Sequence, residues 1–243
     1  MLIKFDKNPH IAANIHYYDT EYSAKLAERV LDVLIKHGLF HPVSLSCGTL
    51  KKSRHITDPA EMRTEIVTAY AKKDVLAIVW EAVDSCDVIW GLTHHKLSRQ
   101  SIPAKDRIIP VAEQPNLLKL QMSYEWLTAK DHAASFLAAV KELIQILDPL
   151  YVSVDDAENR RKILGKHSVF RPTSISPICW GNFCGKDLCQ KLALSRISEP
   201  PFYHVEHING GIYYELSEHP LLFNNDTCKT NRRLLVNLLH KVK

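Results

Sequence analysis

The sequence predicts an α+β fold: mixed and antiparallel sheets with helices packed on them, in two similar βαβ-containing halves. Three observations predict it. Segments rich in alternating β-formers are interleaved with amphipathic helical segments. Two β-rich runs in "FYHVEHINGGIYYELS" are joined through Asn209-Gly210, a turn that pairs its flanking strands antiparallel. Finally, the strand–helix–strand order of residues 14 to 46 returns over residues 118 to 154 with similar lengths, which reads as an internal repeat.

Taken in order, "ANIHYYD" alternates, with Ile15 and Tyr17 facing one way and His16 and Tyr18 the other. "TEYSAKLAERVLDVLIKHG" is a helix, with Leu26, Val30 and Leu34 in one apolar row and Ala27, Leu31 and Ile35 in the next, ended by Gly38. "HPVSLSCG" is a short strand. In "TDPAEMRTEIVTAYAKK" Asp58 caps, Pro59 fits the first helical position and Glu61 has capping-box spacing. An apolar segment then leads through Asp84 to the strand "CDVIWGL". Residues 94 to 116 are polar, carry Pro103, Pro110 and Pro115, and form a long loop of the kind that is functional or mobile. The second pass runs through the strand "LLKLQMSYEWL", a helix with Phe136, Val140, Leu143, Ile144 and Leu147 on one face, and the strand "PLYVSVDD". There follow a short helix near 156–164, the strand "ISPICWGNF", a helix from Lys186 to Leu194, and the hairpin. A final helix turns Leu234, Leu235, Leu238, Leu239 and Val242 inward. The halves are placed at 1–116 and 117–243, within what can also be one continuous domain.

The chain has 243 residues, 46% of them apolar and 24% charged, enough for a sizeable core without staples. Its 8 glycines are few for a phosphate-cradling loop. The net charge of +4, with both signs interspersed, is too mild to favour nucleic acid. The start "MLIKFDKNPH" is unlike a signal peptide, and "VLAIVWEAV" is too short to span a bilayer. Six cysteines in that setting read as reduced thiols of a cytoplasmic protein, with no membrane partner.

Cys179, Cys184 and Cys189 stand five residues apart in "SPICWGNFCGKDLCQK". A zinc site needs ligands that converge, and on a strand a five-residue separation sends Cys179 and Cys184 to opposite faces. Buried core thiols are therefore expected, with no metal, no cofactor and no catalytic nucleophile. His204 and His207 diverge for the same reason. His94-His95 lacks an identifiable acid–base partner. Asp155, Asp156 and Glu158 read as a helix start favoured by the dipole, and "NDT" at Asn225 matters only in a secretory pathway. No Walker, dinucleotide, nucleophile-elbow or zincin signature occurs. Tyr17, Tyr18, Tyr124, Trp126, Tyr213 and Tyr214 fall on strand candidates, where core packing outweighs a recognition surface.

The succession "SPICWGNFCGKDLCQKL", "VEHINGGIYYELSEHPLLFNND" and a leucine-rich terminal helix resembles the end of type VI secretion immunity proteins, among the immunity proteins of bacterial polymorphic toxin systems. Trp180 stands on the strand that enters the short helix, Asn209, Gly210 and Gly211 in the hairpin, and Pro220 in the turn before the last helix. "AAVKELIQILDPLY" fits upstream, so the likeness covers residues 131 to 243. It implies a non-enzyme that binds a cognate toxin effector and occludes or clamps it, with no catalytic residues to carry over.

The expected function is accordingly toxin neutralisation. The partner-binding candidates are Arg99, Arg107 and Trp126, since arginine and aromatic side chains dominate binding energy at such interfaces. Two other readings stand beside it. One is a metal-independent hydrolase or nuclease with a site near the 94–116 loop. The other is a nucleic-acid-binding accessory protein using Arg99, Lys105, Arg107 and the C-terminal basic residues.

Overall fold

A computed structural model describes residues 9–19, 21–41, 43–47, 54–56, 58–72, 77–81, 86–92, 115–129, 131–164, 178–194 and 202–241. Its strands are β1 (His10–Tyr17), β2 (Ser44–Cys47), β3 (Arg54–His55), β4 (Ala77–Glu81), β5 (Cys86–Gly91), β6 (Asn116–Ser123), β7 (Tyr151–Asp156), β8 (Gly181–Cys184), β9 (His204–Ile208) and β10 (Gly211–Glu215). Its helices are α1 (Ala24–Lys36), α2 (Pro59–Ala71), α3 (Tyr124–Thr128), α4 (His132–Leu147), α5 (Ala157–Leu164), α6 (Lys186–Lys191) and α7 (Asp226–Lys241), with a 3-10 turn at Pro220–Leu222.

All ten strands join one sheet in the order β3-β2-β4-β5-β6-β1-β7-β8-β10-β9, and every ladder is antiparallel. The α+β class is as the sequence predicts. The sheet does not stop at residue 116, because β1 from the first half lies between β6 and β7 from the second.

Register determines what each face carries, since alternate residues of a strand point opposite ways. One cross-strand row reads Ile78, Trp90, Leu118, Ile15, Val152, Phe183 and Tyr213, every one fully buried. Burying each such side chain stabilises by about 1.5–3 kcal/mol relative to exposure. Helices α1, α2 and α4 cover this face and share its core through Val30, Leu31, Met62, Ile66, Phe136 and Val140. The helices are also tied to one another. Arg63 of α2 reaches Asp32 of α1 at 2.7 Å, and Lys36 and His37 both reach Glu142 of α4, at 2.8 and 3.0 Å.

The two strand–helix–strand units therefore lay their helices side by side on one face. Their strand spacing differs: β4, β5 and β6 separate β1 from β2, whereas only β1 separates β6 from β7. Three local expectations are corrected. The segment 117–127 is not all strand, because Ser123 Oγ accepts from Trp126 N–H at 3.1 Å and starts α3. Tyr124 and Trp126 are thus helical. Of "ISPICWGNF", residues 175–177 lie outside the described residues, and among 178–183 those from Gly181 onward pair. Along α7, Leu235 is buried but Leu234 is 47% exposed.

A buried hydroxyl chain closes one end of the core. Trp90 Nε1 donates to Tyr17 Oη at 2.6 Å, Tyr17 and Tyr70 hydroxyls meet at 3.2 Å, and Tyr70 donates to Asp19. Asp19 in turn accepts from the Glu21 and Tyr22 N–H groups and so shapes the entry to α1. Burial pushes both tyrosines well above the ordinary phenol range, so they act as hydrogen-bonding groups only. Tyr70→Phe is expected to cost about 1.5–3 kcal/mol in urea unfolding, the size of one lost hydrogen bond to a carboxylate. No loss would mean that Asp19 is fully served by the two N–H groups.

Candidate functional site

The sheet's other face is polar at its centre. The row beside the apolar one reads Lys119, Asn14, Ser153 and Asn182 on four adjacent strands. Asp87, Gln121 and Asp155 flank it on one side, His16 and Tyr151 on the other. Although polar, Asn14, His16, Gln121, Ser153, Asp155 and Asn182 are all buried. Buried polar groups persist where hydrogen bonds satisfy them, and Asn182 shows how. Its Oδ1 accepts from the Tyr151 hydroxyl at 3.0 Å and from Cys179 N–H at 3.3 Å, while Nδ2 donates to Cys179 O at 2.8 Å. Arg160 Nε donates to Ser153 Oγ at 3.3 Å. Asn14 Nδ2 and Gln121 Oε1 make no hydrogen bond among the described residues. Burial, and then the nearby Arg160 guanidinium, push His16 down to about 3, so its imidazole is neutral at physiological pH.

Asp155 organises the C-terminal end of β7. Oδ1 accepts from Asp156 N–H and Asn159 Nδ2, both at 2.8 Å, and Oδ2 accepts from Trp180 N–H at 2.9 Å. Arg232 of α7 stands 3.5 Å away, itself donating to Ile178 O at 2.7 Å. One carboxylate thus joins β7, the start of α5, the approach to β8, and α7. Asp156 accepts from Asn159 N–H at 2.7 Å and from the Tyr124 hydroxyl at 2.7 Å, which makes the expected helix start a real one.

The cysteines are buried, as expected, but their geometry differs from the alternation argument. Cys179 lies in the bend before β8 rather than on the strand, so strand alternation does not fix its side relative to Cys184. Cys184 is the register partner of Tyr151, and Asn182 Oδ1, which accepts from the Tyr151 hydroxyl, also accepts from Cys179 N–H. Cys189 Sγ donates to Cys184 O at 2.9 Å. Burial pushes Cys179 up to about 12 and Cys189 up to about 11, which suppresses the nucleophilic thiolate. Among the described residues no group of three or more His, Cys, Asp and Glu is placed to hold a metal ion. Cys47 is half-buried and the other five cysteines are buried. The native chain should therefore titrate one thiol quickly with a disulfide reagent and release the rest only on denaturation.

Of the predicted partner-binding residues, Trp126 is half-buried on α3. It stacks on His132 with centroids 4.1 Å apart, and His132 Nδ1 donates to the Trp126 carbonyl at 2.9 Å. Arg99 and Arg107 lie outside the described residues, as do Lys105, His94, His95 and almost all of the 94–116 loop. Sequence reasoning missed the polar row. Its signal is present as polar residues at alternate positions (Asn14 and His16, Lys119 and Gln121, Ser153 and Asp155), but only strand register aligns them.

The sheet's β9 edge is the other distinctive surface. Tyr203 and Val205 are 55% and 41% exposed. Lys141 of α4 reaches across the Tyr213 ring, 5.0 Å from its centroid, to Glu206 at 2.9 Å and His204 Nε2 at 3.3 Å. The Lys141 hydrogen bond holds the Glu206 carboxyl below the ordinary range.

No family model matches the chain, and no curated protein matches it. Among solved structures it is similar to the Pseudomonas aeruginosa T6SS protein PA0821, with a TM-score of 0.66 at 10% identity, covering 98% of this chain and 74% of that one. The two share a fold. Among the described residues no helix is long and apolar enough to cross a membrane.

Proposed function

We propose that the chain is an immunity protein of a type VI secretion system, which binds a cognate toxin effector in the cytoplasm and occludes or clamps it. The observation that carries this reading is the fold likeness to a T6SS protein along 98% of the chain. The C-terminal resemblance to immunity proteins supports it from the residues. The chemistry of the polar sheet face supports it too. Its histidine is held neutral, its cysteines are held protonated, and its carboxylate is committed to four donors. The neutral imidazole and protonated thiols are unsuited to proton exchange with a substrate, and Asp155, although burial raises it to about 6, has its oxygens engaged by the framework. A net charge of +4 argues against mimicry of nucleic acid, and so for a non-mimic mode or a toxin with an acidic surface.

The test is survival of cells expressing the toxin encoded beside this gene, with and without this chain, together with pull-down of the pair. Protection with a stable one-to-one complex is the expected result. Trp126→Ala should weaken that complex by about 2 kcal/mol while preserving the fold. Protection by a variant that no longer binds the toxin, or product formation from the toxin's target, would overturn the reading.

A further inference from the structure

Among the described residues, the outward backbone groups of β9 have no hydrogen-bond partner. The Asn209-Gly210 turn has both residues at positive φ, 50° and 74°, the type I′ geometry. Such a turn makes Ile208 and Gly211 the hydrogen-bonded pair beside it, and bonded pairs then alternate along the ladder. Glu206 consequently bonds inward to Tyr213, and the N–H and C=O of Val205 and His207 point away from the sheet. Val205 and Tyr203 carry the exposures given above, so this edge is accessible, and β9 ends the order of described strands. An accessible edge strand is a template for pairing with another strand; here the exposed Val205 stands between the polar His204, Glu206 and His207, and Tyr203 N–H is already turned inward to Glu215 O at 2.8 Å.

We infer that β9 pairs with β9 of a second copy of this chain, antiparallel about a two-fold axis through Val205, joining the two sheets edge to edge. Register selects this arrangement. Outward-pointing groups must meet outward-pointing groups, so only shifts of two residues are allowed. With Val205 opposite Val205, each His204 stands opposite Glu206 of the second copy on the helix-covered face, so the His204–Glu206 approach that each chain already makes at 3.6 Å is extended across the edge, twice by symmetry. A shift of two toward the turn sets Glu206 against Glu206, and the opposite shift sets His204 against His204. Both place like groups together and lose the Val205 contact. The pairing is independent of the immunity reading, because it uses only the edge and its side chains.

Sedimentation equilibrium across a micromolar concentration series tests this. The wild-type mass should rise from 27.7 kDa towards twice that value, and Val205→Lys should hold it at the single-chain mass with an unchanged circular dichroism spectrum. Val205→Cys supplies a second measurement should the lysine variant fail to fold. Hydrogen-bonded antiparallel partners have Cα atoms about 5.5 Å apart, within disulfide reach. Mild oxidation should therefore yield a covalent dimer, whereas the parent chain, with its half-buried Cys47, should not. A wild-type chain that stays monomeric throughout overturns the inference. So does a dimer that Val205→Lys leaves intact and Val205→Cys does not cross-link.

Discussion

Asp155→Ala should destabilise the chain by about 3–5 kcal/mol, the cost of removing one partner from a buried ion pair. The loss has two sources. Arg232 is left with its side chain only 15% exposed and without its counter-charge, and the buried Trp180 N–H loses its acceptor. An orphaned buried donor costs about 1–3 kcal/mol by itself. The pH dependence separates this account from simple packing. Burial pushes the Asp155 carboxyl up from 3.8 to about 6, against the pull of Asn159, Arg232 and the two N–H donors. In that interval the folded chain keeps a proton that the unfolded chain has released, so the contribution of Asp155 is full at low pH and falls as pH rises through about 6. Asp155→Asn cannot titrate. Urea unfolding of both proteins should show wild type losing ground to Asp155→Asn as pH rises through this window, then a constant difference. A wild-type advantage that grows over the same range would show that the donors outweigh burial.

The hub is a good measure of what the sequence could reveal. The helix start at Asp156 was legible, because capping is decided by the next few residues. The role of Asp155 was not, since its partners Trp180 and Arg232 come from a strand approach and a terminal helix far along the chain. The same division holds for the fold. Helix α4 was legible because Phe136, Val140, Leu143, Ile144 and Leu147 form one stripe, and all five are buried. Helix α3 was not, because Tyr124 and Trp126 are aromatic and alternate, which imitates a strand; only the Ser123 cap distinguishes it. Leu234 belonged to the right stripe on the wrong side of its boundary. Pattern gives each segment's local period, but the order of strands in the sheet depends on pairings that no single segment contains.

Where a local signal is exact in geometry, it also predicts unequal costs for neighbouring residues. Gly210 and Gly211 are adjacent in the hairpin, yet they are glycines for different reasons. Gly210 sits at φ +74° with its nearest side-chain neighbour, Lys186 Cδ, 3.8 Å from where a Cβ would stand. Gly210→Ala should cost about 1 kcal/mol, the left-handed backbone penalty, with no change in packing. At Gly211 the backbone is ordinary and the space is not. A Cβ there would lie 2.5 Å from the Cys184 carbonyl oxygen and 2.6 Å from the Phe183 ring. Phe183 is fully buried and Cys184 is paired to Ile212, so neither can withdraw without opening the β8–β10 ladder. Overpacking a full core costs about 1–3 kcal/mol and more when backbone must move, which places Gly211→Ala at about 3 kcal/mol or above. Loss of β8–β10 pairing would also release β9, which among the described strands pairs with β10 alone. Amide exchange of Val205 to Ile208 should therefore accelerate in Gly211→Ala far more than in Gly210→Ala. Equal losses in the two variants would place the constraint in the turn, and the close approach of β8 to β10 would have no part in it.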